Sequence, residues 1–172
     1  VDRRRDVFED QLEQRREVPP SGPKYRPRVA PQAPQLVIQS AQGALLVDAG
    51  QRGVWRVAPE SYALVEPLKV LSLAESWTSA EAAGIGTFVW EGNAEAEVTA
   101  LADGTIEVRL IHGRMGIQDL RAEAKIRLLT GDAAWTVRGI DKNSTLAVVS
   151  DPTSPGLLVT RGELDADGMT IL

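Results

Sequence analysis

Residues 84–129 read GIGTFVWEGNAEAEVTALADGTIEVRLIHGRMGIQDLRAEAKIRLL. Their alternation decides the fold. In residues 105–112, Ile106, Val108 and Leu110 alternate with Glu107 and Arg109. A period of two places the apolar side chains on one face of a strand. A helix needs apolar residues three and four apart, and that spacing is missing here. Asp103-Gly104 stands between this run and residues 95–101. An Asp-Gly pair between alternating runs predicts a two-residue hairpin turn of type I′, so residues 95–101 should pair antiparallel with 105–110.

The pattern repeats after Gly113. Ala122, Ala124, Ile126 and Leu128 alternate with Glu123, Lys125 and Arg127. Such a strand covers a core on one side and meets water on the other. Upstream, LVIQS, GALLVDAG and GVWRVAP are short β runs separated by glycine, followed by residues 61–65 and 68–73. Residues 77–83 read as a connection. Downstream, residues 134–140, 145–149, 157–160, 163–165 and 169–172 complete an all-β body over residues 36–172. No proline lies between Pro67 and Pro152, which suits uninterrupted strand ladders. A final strand at the chain end would leave an open edge, so a covering chain or a continuation is expected there.

Two segments precede the body. Residues 1–18, VDRRRDVFEDQLEQRREV, are rich in helix formers and carry Val7, Phe8 and Leu12 as a thin apolar stripe. They predict a charged helix or tail. Residues 19–35 hold six prolines in seventeen residues, which excludes a regular helix or a central strand. They predict an extended arm of roughly 3 Å per residue. Lys24, Arg26 and Arg28 surround Tyr25 on that arm. Phe8, Leu12, Tyr25, Arg26 and Arg28 are the candidate partner-docking residues.

The 172-residue chain has 43% hydrophobic and 25% charged residues, enough for one domain with a core and an appendage. Residues 1–34 contain eight Lys/Arg against six Asp/Glu, and the rest contain eleven against eighteen. The arm is therefore basic and the body acidic. A net charge of −5 argues against nucleic acid as the ligand. With no cysteine, neither disulfides nor thiolate metal sites are available. No run approaches the ~20 apolar residues of a membrane-spanning helix. The chain starts at Val, so a trimmed precursor or a piece of a longer chain is expected.

The body resembles the FecR-type periplasmic domain. The likeness lies in glycine-opened strands, as in GALLVDAG, DGTIEVRLIHGRMGIQ and PGLLVTRGELDADGMTI, and in a closing strand–Arg161-Gly162–strand pattern. The resemblance implies a β-solenoid or twisted β-sandwich outside the inner membrane. It also implies signalling to sigma-factor systems through protein contacts. No cytoplasmic regulator segment or membrane helix is read in the sequence. A structural, protein-binding role in a cell-envelope assembly therefore fits the proline-rich arm better. Its partners would be proteins, a second copy among them, and any membrane association would run through a partner or a segment outside this chain.

The chemical candidates are few. His112 is the only histidine, and one ligand makes neither a metal site nor a catalytic base. Asp165, Asp167 and Gly168 share a fragment of a calcium-loop pattern but lack its closing Glu, so a hairpin turn is expected there. Gly84-x-Gly86 lacks the rest of a phosphate loop. Glu95 and Glu97 lie on one strand face. Neither an enzyme activity nor a cofactor is expected. Of the four tryptophans, Trp55 and Trp135 read as core. Trp77 and Trp90 read as surface aromatics, able to anchor a partner or to stack on sugars in a carbohydrate-binding module.

Overall fold

The computed structural model describes residues 33–140, 144–150, 155–162 and 164–167. The expected N-terminal helix and most of the proline-rich arm lie outside these residues, as do Gly168 and residues 169–172. Two compact units divide the chain after Pro31, and all the described residues belong to the second, Gln32–Leu172.

This unit is all-β, with no helix among the described residues. Thirteen strands form one curled sheet. They are β1 (Gln35–Gln42), β2 (Leu45–Ala49), β3 (Arg56–Val57), β4 (Ser61–Ala63), β5 (Leu68–Ser72), β6 (Trp77–Ala82), β7 (Gly86–Ala100), β8 (Ile106–Leu120), β9 (Lys125–Thr130), β10 (Ala133–Gly139), β11 (Ser144–Ser150), β12 (Gly156–Arg161) and β13 (Leu164–Asp167).

The two fifteen-residue strands, β7 and β8, organise everything else. They pair antiparallel along their whole length, from Thr87↔Gln118 to Ala100↔Ile106, with the register slipping between Glu91 and Ala96. That slip divides the sheet into two leaves. Leaf I has the order β4–β1–β6, then residues 86–91 of β7, residues 114–120 of β8, then β11–β12. Leaf II has the order β3–β2–β5, then residues 94–100 of β7, residues 106–112 of β8, then β9–β10–β13.

The hairpin bends sharply. β9 runs parallel to β8, with Ile106 opposite Ile126. Only six residue steps separate Leu120 from Ile126, a reach of at most about 22 Å. A straight β8 would put Leu120 roughly 46 Å from Ile106. The strand must therefore fold back, and its second half serves as the crossover that parallel neighbours require. Buried side chains record the same event. On β8 they fall at Ile106, Val108 and Leu110, then change parity to Met115 and Ile117. Inner residues of both leaves, among them Phe88, Trp90, Val98, Val108, Leu110, Met115, Ile117 and Val137, form one core cluster. At the corner, Thr78 Oγ1 of leaf I donates to Ser72 Oγ of leaf II at 3.3 Å, and both residues are buried.

Three expectations change. Residues 77–82 of that connection form a full strand, β6, wedged between β1 and β7. Its buried positions are Thr78, Ala80 and Ala82, small residues that give little alternation signal by hydrophobicity. The Asp103-Gly104 hairpin does form, but as a three-residue loop. Gly104 N–H donates to Leu101 O at 3.0 Å and Leu101 N–H to Thr105 O at 2.8 Å. Gly104 alone has a positive φ, of 86°, so the turn is a type I turn closed by a glycine bulge. The strand expected over residues 122–128 begins later, at Lys125, and Ala122 makes only an isolated bridge to Gly139.

Gly113 sits at the bend with φ +90°, and a Cβ there would lie 2.7 Å from both Ala94 Cα and Asn93 O. Neither neighbour is a flexible side chain. Gly113→Ala should therefore lower stability by at least the roughly 1–3 kcal/mol of a strained backbone position. Urea unfolding would register this as a reduced midpoint, and an unchanged midpoint would show that the bend does not depend on the glycine.

The hairpin turn carries a pH signature. Thr105 N–H donates to Asp103 Oδ1 at 3.0 Å. Hydrogen bonds from Thr105 hold the Asp103 carboxyl below its ordinary value of 3.8. A carboxylate depressed on folding stabilises the fold at neutral pH, and that help disappears as pH falls through its folded pKa. Asp103→Ala should melt below the parent at pH 7, with the gap closing on acidification past the ordinary carboxylate range. A gap independent of pH would point to the shape of the turn and away from its charge.

Candidate functional site

A concavity lies beside the edge strand β3. It opens where β2 gives way to a loop, because a buried aspartate holds that loop in place. Asp48 is 3% exposed, and its carboxylate accepts the backbone N–H of Arg52 at 3.0 Å and of Gly53 at 2.7 Å. Gly50 N–H donates to Pro67 O at 3.0 Å and Ala58 N–H to Leu45 O at 2.8 Å, closing both ends of the excursion. On the far side, Leu64 N–H donates to Pro34 O at 2.9 Å, which ties the β4 region to the residues leading into β1.

The resulting cleft measures about 420 Å³. That falls within the roughly 300–1,000 Å³ of small-ligand and side-chain sites. Val47, Val54, Val57, Pro59 and Tyr62 supply apolar lining, and Arg52, Arg56 and Glu66 bring charge to it. Arg52 and Glu66 approach to 4.0 Å but both are solvated, so the pair contributes little. Burial and the nearby Glu66 carboxylate push the Tyr62 phenol above its ordinary value, with Arg52 opposing them. The phenol is a neutral hydrogen-bonding group at neutral pH.

Around this cleft the surface is apolar. Val54 is 51% exposed, Trp55 36% and Val57 69%. Among the described residues β3 pairs only with β2, through Leu46↔Val57 and Val47↔Arg56, and no described strand lies on its other edge. An open edge beside an apolar cleft suits an extended peptide, which pairs along the edge and drops a side chain into the cleft. Among the described residues no group of three His, Asp or Glu side chains converges on a metal position.

The residues singled out from sequence fall elsewhere. Trp77 is 46% exposed on leaf I, as expected of a surface aromatic. Trp90 is fully buried, which corrects its reading as a surface aromatic. It shares the inner face of β7 with Phe88, and their rings stack at 6.2 Å. The two tryptophans therefore make no common sugar platform. Trp135 lies in the core at 4% exposure, whereas Trp55 is solvent-exposed and not core. His112 meets one carboxylate, Glu95, at 3.6 Å across β7 and β8. Gly84 and Ile85 form the β6–β7 turn. Phe8, Leu12, Tyr25, Arg26 and Arg28 lie outside the described residues. Sequence reasoning passed over Asp48, Arg52, Tyr62 and Glu66. The available signal was Asp48 followed by Gly50 and Gly53, an aspartate placed to accept backbone donors of its own turn.

Removing the Asp48 carboxylate leaves two loop N–H groups without their acceptor. Asp48→Ala should cost roughly 1–3 kcal/mol and raise amide exchange at Arg52 and Gly53 selectively. Uniform exchange across the body would mean that the loop is held by its backbone bonds alone.

Compared with family models, with curated proteins and with solved structures, the chain gave no match.

Proposed function

We propose that this chain is a non-enzymatic protein-interaction subunit of a cell-envelope assembly, in which the proline-rich arm and the β3 edge both engage protein partners. The observation that carries this reading is the exposed apolar rim of Val54 and Trp55, in the loop entering β3, and Val57 on β3, an edge that no described strand covers. Soluble domains usually blunt such edges with short strands, charge or proline, and the two-residue β3 with Arg56 and Pro59 is blunted in this way yet still displays apolar side chains. Leaving three large apolar residues exposed at one edge is characteristic of a binding surface. The cleft supplies side-chain selectivity, and the edge supplies main-chain hydrogen bonds that any extended partner can use. Six prolines in residues 19–35 restrict that chain before any partner binds, which lowers the ordering cost of docking.

In the same proposal the bent two-leaf sheet is a twisted sandwich of FecR-like type, working outside the inner membrane. Two leaves sharing one core, with short strands flanking the long β7–β8 hairpin, support that assignment. The relay role of FecR-type domains is the alternative, and it requires the same protein-binding surface.

Envelope extracts passed over the immobilised full chain should yield a defined protein partner. Val57→Asp places a charge on the rim without touching the core, and it should weaken retention tenfold or more. Deleting residues 1–32 tests the arm separately. A partner held equally by the Val57 variant would remove the β3 edge from the proposal. The absence of any specific partner would overturn the interaction reading itself.

A further inference from the structure

The two leaves present very different faces to solvent. The outer face of leaf II is a ladder of opposite charges, Lys69↔Glu97↔Arg109 in one row and Glu107↔Arg127 in another, the latter pair closed at 3.2 Å. The outer face of leaf I has small and apolar residues at its centre. One cross-strand row runs Ser79, Val89, Gly116, Ala147, Leu158, and the row beside it runs Trp77, Glu91, Arg114, Val149.

These rows contain a projection and a hollow. Trp77, 46% exposed, stands on β6, one strand outside β7. The hollow lies mainly over β8 and β11, measures about 250 Å³ and is bordered by Gly116, Ala147, Val149 and Leu158, with Glu91 and Arg114 at its β7 side. A 150 Å³ cavity already accepts a benzene ring, so this one has room for an indole. With strands ~4.8 Å apart, Trp77 on β6 and Val149 on β11 lie at the same distance, about 7 Å, on opposite sides of the line between β7 and β8. Glu91 and Arg114 flank that line directly. They face each other in register, yet no ion pair joins them among the described residues.

We propose that this face packs against the same face of a second copy, about a two-fold axis parallel to the strands and lying between β7 and β8. That operation keeps each row in place and exchanges its two sides. Trp77 of each copy then enters the hollow beside the partner's Val149. Glu91 of each copy faces the partner's Arg114. A two-fold axis across the strands instead lays Glu91 over Val89 and Arg114 over Gly116, which matches neither charge nor shape. The arrangement is isologous, and it aligns the strands of the two sheets as face-packed sheets require. A tryptophan at the centre of the interface supplies the anchor expected of a binding hot spot. The proposal goes beyond the β3 edge and the arm and depends on neither.

Sedimentation of the full chain, from below 1 µM to about 100 µM, spans the affinities of weak to firm dimers. A reversible dimer is expected. Trp77→Ala and Gly116→Val should each weaken it tenfold or more. The second fills the hollow at little cost to the fold, because an added Cβ meets nothing nearer than Leu146 O at 3.7 Å. Glu91→Arg and Arg114→Glu should each disrupt the dimer by like-charge contact, and the two combined should restore it. Thermal melting of every variant at low concentration checks that the monomer is intact. A chain that stays monomeric throughout, leaving the face to a different partner, overturns the proposal. So does a dimer indifferent to these substitutions.

Discussion

The pairing of β7 with β8 is the constraint on which the rest of the molecule depends. Every other strand reaches the core through one of these two, directly or at one or two removes. Because the pair is fifteen residues long, it cannot remain flat and also bury a single apolar face under a chain of this size. It bends, and the bend has to reverse the parity of buried residues on β8 without losing the ladder. Between Glu91↔Arg114 and Ala96↔Leu110, four residues of β7 stand against three of β8, and Gly113 there takes a backbone conformation closed to most side chains.

Much of this was legible from residues alone. The alternation of Ile106, Val108 and Leu110 gave the strand, its inner face and its antiparallel partner, because strong β-branched and aliphatic residues mark a half-buried surface unambiguously. The bend was less legible. Gly113 is one glycine among fifteen, and its role comes from Ala94, a residue nineteen positions away. Strand β6 was missed because Thr78, Ala80 and Ala82 are buried by neighbours and not by their own hydrophobicity. Trp90 was misplaced for a related reason. Its flanking glycines suggested exposure, while its parity with Phe88 already placed it inward.

The candidate site was the least legible part. A cleft made by β2, β3 and β4 draws on residues 47–66, whose sequence holds no catalytic or ligand motif. Its properties come from the exposure of Val54, Trp55 and Val57, and exposure is a property of the fold. The contrast between the two outer faces is likewise invisible in the linear sequence. Glu107 and Arg127 are neighbours only through a parallel register. Trp77, Glu91, Arg114 and Val149 form a row only after four strands have been aligned.

The doubled-back β8 has a consequence for how the chain can come apart. Its first half pairs with β9, its second half pairs with β11, and both halves line the same core. A break in its register would strip partners from both leaves together, since neither leaf owns the hairpin alone. Partial unfolding therefore has nowhere to stop within this hairpin. The body divides into two leaves by shape and remains one cooperative unit in free energy, with local opening confined to the peripheral strands β3, β4, β12 and β13, each of which has a single neighbour among the described strands.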